Sequence, residues 1–146
     1  TISYLQKKSS NNNAKINYQI IGFKRNRENL YQRINLRIDK MIKDGFIEEV
    51  KMLREMGYKE KLNSMQGLGY KQINNHLNGL YSKEEAIDLI KIETRHYAKR
   101  QMTWFKNKIE NIEWIDLDKI NENEVLSKIE NILKYFPKKE GFLKFM

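Results

Sequence analysis

The chain has 146 residues, 28 of them Lys or Arg and 19 Asp or Glu, for a formal charge of +9. A mean hydropathy of −0.78 and the lack of any apolar run near 18 residues exclude a membrane-spanning helix; the absence of Cys removes disulfides, thiolate metal sites and Cys nucleophiles together. One domain suits the length, an anionic partner suits the charge, and a cytoplasmic location is the default where no secretion signal opens the chain.

In chain order, Thr1–Lys8 reads as the end of a helix with Ile2 and Leu5 at helical spacing. No initiating Met precedes it, which points to a piece of a longer protein. Ser9-Ser10-Asn11-Asn12-Asn13 is a polar turn or linker. Tyr18–Phe23 is short, β-branched and nearly continuously apolar, the pattern of a strand covered on both faces. Asn26 caps a helix whose first turn carries Glu28 and whose apolar positions are Leu30, Ile34, Ile38, Met41 and Ile42. Asp44-Gly45 ends it. A second helix over Phe46–Met56 buries Phe46, Val50 and Leu53, and Gly57 stops it. After a polar connection over Lys59–Asn63, Gly67 and Gly69 precede a short helix, Lys71–Leu77, closed by Asn78-Gly79.

Ser82-Lys83-Glu84-Glu85 is a capping box that opens the longest helix, running to about Lys106. Glu113–Leu117 alternates as a second short strand. Asn121 and Glu124 form another capping pair, ahead of a helix with Val125, Ile129, Ile132, Leu133 and Phe136 on its apolar face; Pro137 ends it and residues 138–146 form a tail. The fold class is therefore mainly α with two short strands. Two isolated strands do not make a stable sheet, so they either pair with each other or belong to a sheet whose other strands lie upstream.

Three stretches carry possible chemistry. Arg33, Arg37 and Lys40 share one helical face, either a solvated basic stripe or an anion site. Gln66-Gly67-Leu68-Gly69-Tyr70-Lys71 offers flexible backbone and exposed amides at a helix start, which attract phosphate; it is neither a G-x-x-x-x-G-K-[ST] loop nor a dinucleotide fingerprint, and taken alone it is an ordinary turn. In the long helix, Arg95, Lys99 and Lys106 fall within roughly 40° of one another at about 100° per residue. Tyr97, Ala98, Gln101, Trp104 and Phe105 share another arc, continuous with Ala86, Ile87 and Ile90 and expected to be core. A solvated Lys-rich face beside an aromatic stripe accounts for this pattern as well as a cationic binding ridge does. His76 and His96 are too isolated to build a zinc site.

Taken together, Leu30–Met41, Ser64–Lys71 and Thr94–Phe105, followed by Trp114-Ile115-Asp116, resemble the C-terminal half of the tRNA dimethylallyltransferase (tRNA isopentenyltransferase) family, over nearly all of Thr1 to Leu117. The resemblance implies the C-terminal part of a P-loop-NTPase-like α/β fold, with residues 1–17 as the end of a helical insertion and linker and 18–146 as core with tRNA-binding helices. It implies transfer of a dimethylallyl group from dimethylallyl diphosphate to N6 of the adenosine 3′ of the anticodon, by a monomer acting on the tRNA anticodon stem-loop. Arg37 is then the catalytic contact to the diphosphate, while Gln66, Gly67, Leu68, Gly69, Tyr70 and Lys71 meet the tRNA, as do Lys99, Arg100, Gln101, Thr103 and Trp104. Mg²⁺ is implied by the family, with no ligand identifiable in this chain. The family's phosphate loop and general-base Asp should lie upstream of Thr1, so this chain by itself is expected to be inactive. The competing readings are a non-catalytic basic helical RNA- or DNA-binding module, and a helical interaction domain whose charge reflects residue usage.

Overall fold

The computed structural model describes residues 19–135. Strand β1 (Ile20–Lys24) leads into α1 (Arg27–Lys43) and α2 (Phe46–Glu55). A 3₁₀ turn (Asn63–Gln66) precedes α3 (Tyr70–Leu77), and α4 (Lys83–Lys108), β2 (Ile112–Asp116) and α5 (Glu122–Tyr135) complete the chain. The architecture is mainly helical with two parallel strands. Expectations placed on residues 1–18 and 136–146, including the linker, the boundary at residue 17, Phe136 and the Pro137 stop, lie outside the described residues. Among the described residues no helix is long and apolar enough to cross a membrane.

The two strands pair with each other, in parallel, with Ile20 opposite Ile112 and Lys24 opposite Asp116. A parallel pair needs a crossover, and α1 to α4 supply it. Gly22 sits opposite Trp114, and a Cβ at Gly22 would come within 2.6 Å of the indole, so glycine is what lets the ring lie across the strand. Beyond the ladder, Arg25 Nη1 donates to Leu117 O at 2.8 Å and to Asp118 Oδ1 at 2.9 Å. Asp118 also accepts from the Asn26 backbone N–H. That amide, and then the Arg25 guanidinium, hold the Asp118 carboxyl below the ordinary carboxylate range.

The helices close around one core of Ile38, Phe46, Val50, Met65, Ile73, Ala86 and Ile90, with Leu53 and Ile87 packed against it. The apolar periodicity of α1 and α2 anticipates their share of this core. Met65 and Ile73 come instead from the short segments that carry little periodicity. The caps form as the sequence implies: Asn26 Oδ1 accepts from Glu28 N at 2.8 Å. Ser82 and Glu85 exchange bonds of 3.1 and 2.7 Å, as do Asn121 and Glu124 at 3.0 and 2.7 Å. Along α5 the face of Val125, Ile129 and Ile132 is only half-buried, while Leu126 and Leu133 are exposed.

Two expectations fail. Strand β1 is not covered on both faces among the described residues, since none of its residues is buried and Phe23 is 49% exposed. The arc of Tyr97, Gln101 and Trp104 is not core: Tyr97 is 54% and Trp104 53% exposed, and the last buried residue of α4 is Ile90. The reason is geometric. Lys91 Nζ lies 2.6 Å from Asp39 Oδ1, and Ala98 and Met102 lie beside Leu30 and Tyr31, so α1 and α4 run antiparallel. Past Ile90, α4 therefore meets α1 on the side of Lys91, Arg95, Ala98 and Met102, while Tyr97 and Trp104 on the continuing arc stay half-exposed.

Candidate nucleic-acid interface

The 26 residues of α4 make a rod of about 39 Å at 1.5 Å per residue. Between Glu93 and Glu110 the sequence has no acid, while Arg95, Lys99, Arg100, Lys106 and Lys108 fall in the same span. A solvated helix normally alternates charge signs to gain i,i+4 pairs; here no carboxylate of the described residues comes within 4.0 Å of any of these five cations. Their charge is left to face solvent. On one side of the helix a shallow, solvent-open groove between side chains is lined by His96, Lys99, Arg100, Thr103, Trp104, Asn107 and Lys108.

The structure thus brings Lys99, Arg100, Thr103 and Trp104 of the expected contacts onto one surface, and Gln101 is exposed on the same helix outside the groove. Trp104 stands edge-on to Phe105, centroids 5.1 Å apart at 88°, and its exposure leaves ring surface for a base to stack on. Thr103 donates its hydroxyl proton to Lys99 O at 3.0 Å. What remains is lone pairs, so Thr103 is matched to a hydroxyl donor such as a ribose 2′-OH rather than to a phosphate oxygen. Sequence reasoning missed His96, Asn107 and Lys108. The signal was there in the i, i+3, i+4, i+7, i+11, i+12 spacing from His96 through Lys99, Arg100, Thr103, Asn107 and Lys108.

The Gly67–Lys71 loop lies apart from that groove, at the level of the buried half of α4, where Ile73 packs with Ala86 and Ile90. Gly69 has φ 95°, and a Cβ there would come within 3.1 Å of the Phe46 ring; the close approach that glycine permits is to the chain's own core. Gly69 N donates to Gln72 Oε1 at 2.9 Å, and Gln66 Nε2 to Glu60 O at 2.6 Å, so the loop is braced from both ends. Leu68 and Lys71 are exposed. Tyr70 packs edge-to-face on Phe46 (5.1 Å, 84°) and donates its hydroxyl to Glu49 Oε1 at 2.5 Å. Its stacking surface is correspondingly reduced.

That hydrogen bond to Glu49, with burial and the carboxylate charge adding to it, raises the Tyr70 pKa above the ordinary phenol value. The protonated phenol is the stabilising form, so its contribution is present below about pH 10 and is lost as pH rises through the raised value. Glu49→Gln is expected to return Tyr70 toward the ordinary range. The check is a Tyr Cζ NMR titration; an unmoved Tyr70 midpoint would mean that Glu49 does not hold the hydroxyl.

Arg37 is exposed on α1 with Arg33 and Lys40, and no carboxylate of the described residues pairs with it. The antiparallel packing sets its turn level with the middle of α4, next to the Asp39–Lys91 pair, so it does not belong to the groove of Lys99 and Trp104. Among the described residues no three His, Cys, Asp or Glu side chains converge. The described residues therefore do not build a Mg²⁺ site by themselves.

A family model described as IPP transferase matches residues 1–108. The chain is 47% identical over 135 residues to a tRNA dimethylallyltransferase of Acetivibrio thermocellus, an alignment that covers 92% of this chain and 42% of that protein. A tRNA dimethylallyltransferase of Clostridioides difficile is 50% identical over 120 residues, 79% of this chain and 38% of that protein. Among solved structures, a tRNA delta(2)-isopentenylpyrophosphate transferase from Staphylococcus epidermidis superposes with a TM-score of 0.77 at 37% identity, covering 88% of this chain and 42% of that one. A full-length tRNA isopentenylpyrophosphate transferase from Bacillus halodurans superposes with a TM-score of 0.77 at 36% identity, covering 90% and 43%. The chain spans about two fifths of the length of the curated relatives it matches.

Proposed function

The chain belongs to the IPP transferase family, and we propose that it supplies the RNA-gripping C-terminal half of a tRNA dimethylallyltransferase, acting in the cytoplasm on the anticodon stem-loop. The observation that carries this reading beyond family membership is the groove on α4, where Lys99, Arg100 and Lys108 share one open face with a half-exposed Trp104 and no carboxylate of the described residues pairs with them. Backbone phosphates supply the matching charge and a splayed base the matching ring.

In the reaction so proposed, N6 of a flipped adenosine attacks C1 of the dimethylallyl group. The allylic C–O bond breaks, diphosphate departs with the electron pair, and the N6 proton passes to a base supplied outside this chain. Arg37 is the group here suited to the departing diphosphate: a planar fork on a helix, with no internal partner among the described residues, meets charge that grows as the bond lengthens. The α4 groove and the Gly67–Lys71 loop hold and orient the RNA, the loop through exposed Lys71 and Leu68 rather than through a fully open Tyr70 ring.

Fluorescence-anisotropy titration of an anticodon stem-loop at two salt concentrations tests the reading, with a scrambled hairpin and duplex DNA as competitors. Preference for the stem-loop is the expected result. Lys99→Ala should weaken binding and lower the salt slope by about one, as loss of a single phosphate contact does. Indifference among polyanions would favour a general basic module, and no binding at physiological salt would mean that the charge reflects residue usage alone.

A further inference from the structure

Around the opposite edge of α4 lies a second groove, of about 270 Å³, between α4 and the start of α1; its polar lining is Arg25, Arg27, Tyr31, Lys99, Thr103 and Lys106. We propose that Arg27 and Lys106 hold a further phosphate of the RNA backbone there, so that the strand crosses α4 at Lys99 and continues onto α1. The proposal rests on the RNA-binding reading above and adds residues outside its sequence motifs.

Three observations support it. First, Arg27 is oriented without being neutralised. Its Nε donates to Tyr31 Oη at 3.2 Å and its guanidinium lies 5.2 Å from the Tyr31 ring centroid. Neither terminal nitrogen meets a carboxylate of the described residues within 4.0 Å. Packing on a ring fixes the plane of a guanidinium while leaving its outer edge open, the geometry suited to a phosphate oxygen pair. Arg95 adds to the field, 5.7 Å from the same ring.

Second, the acids near this groove are committed or turned away. Asp118 is held by Arg25 and by the Asn26 amide, and Glu28, whose amide is capped by Asn26, does not line the groove. The free charge is therefore that of Arg27, Lys99 and Lys106. Third, Lys99 and Thr103 line both grooves, so the two surfaces meet at one ridge of α4. A polymer of regularly spaced phosphates can occupy both at once, whereas a small anion would occupy one.

The experiment compares the 146-residue chain with its Arg27→Gln, Lys106→Gln and Arg100→Gln variants by stem-loop anisotropy across a salt series, with circular dichroism to check folding. Arg27→Gln and Lys106→Gln should each weaken binding about five- to tenfold and lower the salt slope by about one. Arg27→Lys, which keeps the charge but not the fork, should recover part of the affinity. An effect of Arg100→Gln with none from Arg27→Gln or Lys106→Gln would overturn this proposal and leave the RNA-binding reading intact; no effect from any variant would overturn both. A parallel titration with inorganic pyrophosphate, read on the Arg27 Nε–H resonance, should give no saturable shift. A saturable one would reassign the groove to a free diphosphate and sink the backbone assignment.

Discussion

In a full-length enzyme of the family, replacing the arginine that aligns with Arg37 by Ala is expected to slow dimethylallyl transfer by about 10²–10³-fold, or about 2.7–4 kcal/mol of transition-state stabilisation. The expectation follows from where the charge changes. Bound substrate already carries a charged diphosphate, but the bridging oxygen gains charge as the allylic bond breaks, and a fixed guanidinium is worth most at that moment. Binding of tRNA should survive, because Arg37 lies apart from the groove of Lys99, Arg100 and Trp104. Single-turnover kinetics with saturating tRNA separates the two effects. Arg37→Lys should restore only part of the rate, since an ammonium cannot make the bidentate contact. Unchanged turnover in the Ala variant would remove Arg37 from the diphosphate role.

Ile73→Ala is expected to destabilise the chain by about 2–5 kcal/mol, the usual cost of removing three carbons from a packed site. Ile73 is fully buried, between the segment carrying Met65 and the first half of α4 at Ala86 and Ile90. Few neighbours can move in to fill the space: α3 is only eight residues long and is held at its start by Gly69 against Phe46. Against a total of about 5–15 kcal/mol for a domain, such a loss leaves a marginal fold. Urea denaturation followed by circular dichroism gives the number, and a loss under about 1 kcal/mol would show that Ile73 is not a core anchor. Loop amides from Gly67 to Lys71 should lose exchange protection together with α3, since the same side chain seats both.

Periodicity and caps made most of the helical frame legible in the sequence. Leu30, Ile34, Ile38, Met41 and Ile42 recur at spacings that only a helix places on one side, and Asn26, Ser82 and Asn121 announce helix starts through side-chain chemistry that acts within three residues. Tertiary information was harder to read. Met65 and Ile73 sit in segments too short to show a period, and nothing local says that Asn74 is 2% exposed, with Nδ2 donating to Met65 O at 3.3 Å. The aromatic stripe of α4 misled for the same reason. Tyr97 and Trp104 continue the arc of Ala86 and Ile90, but helical phase gives a direction, not a neighbour, and α1 reaches only the Ala98 and Met102 side. For the interface, the cations and Trp104 were legible because charge imbalance within one helix is local. The two faces they divide into were not, since the second is completed by Arg27 and Tyr31 from α1.

The long helix α4 also has unequal footing along its length. Its first half is fixed by Ala86 and Ile90 inside the core, and beyond Ile90 no residue is buried. Local opening is cheapest where few apolar contacts must be broken, so the stretch between Ile90 and the β2 ladder is expected to open at lower cost than the turns at Ala86 and Ile90. A nucleic acid bound along the outer turns is then expected to raise amide exchange protection past Ile90 and to leave the turns at Ala86 and Ile90 unchanged, so side chains on the outer turns can re-fit to each RNA without disturbing the packing that defines the fold.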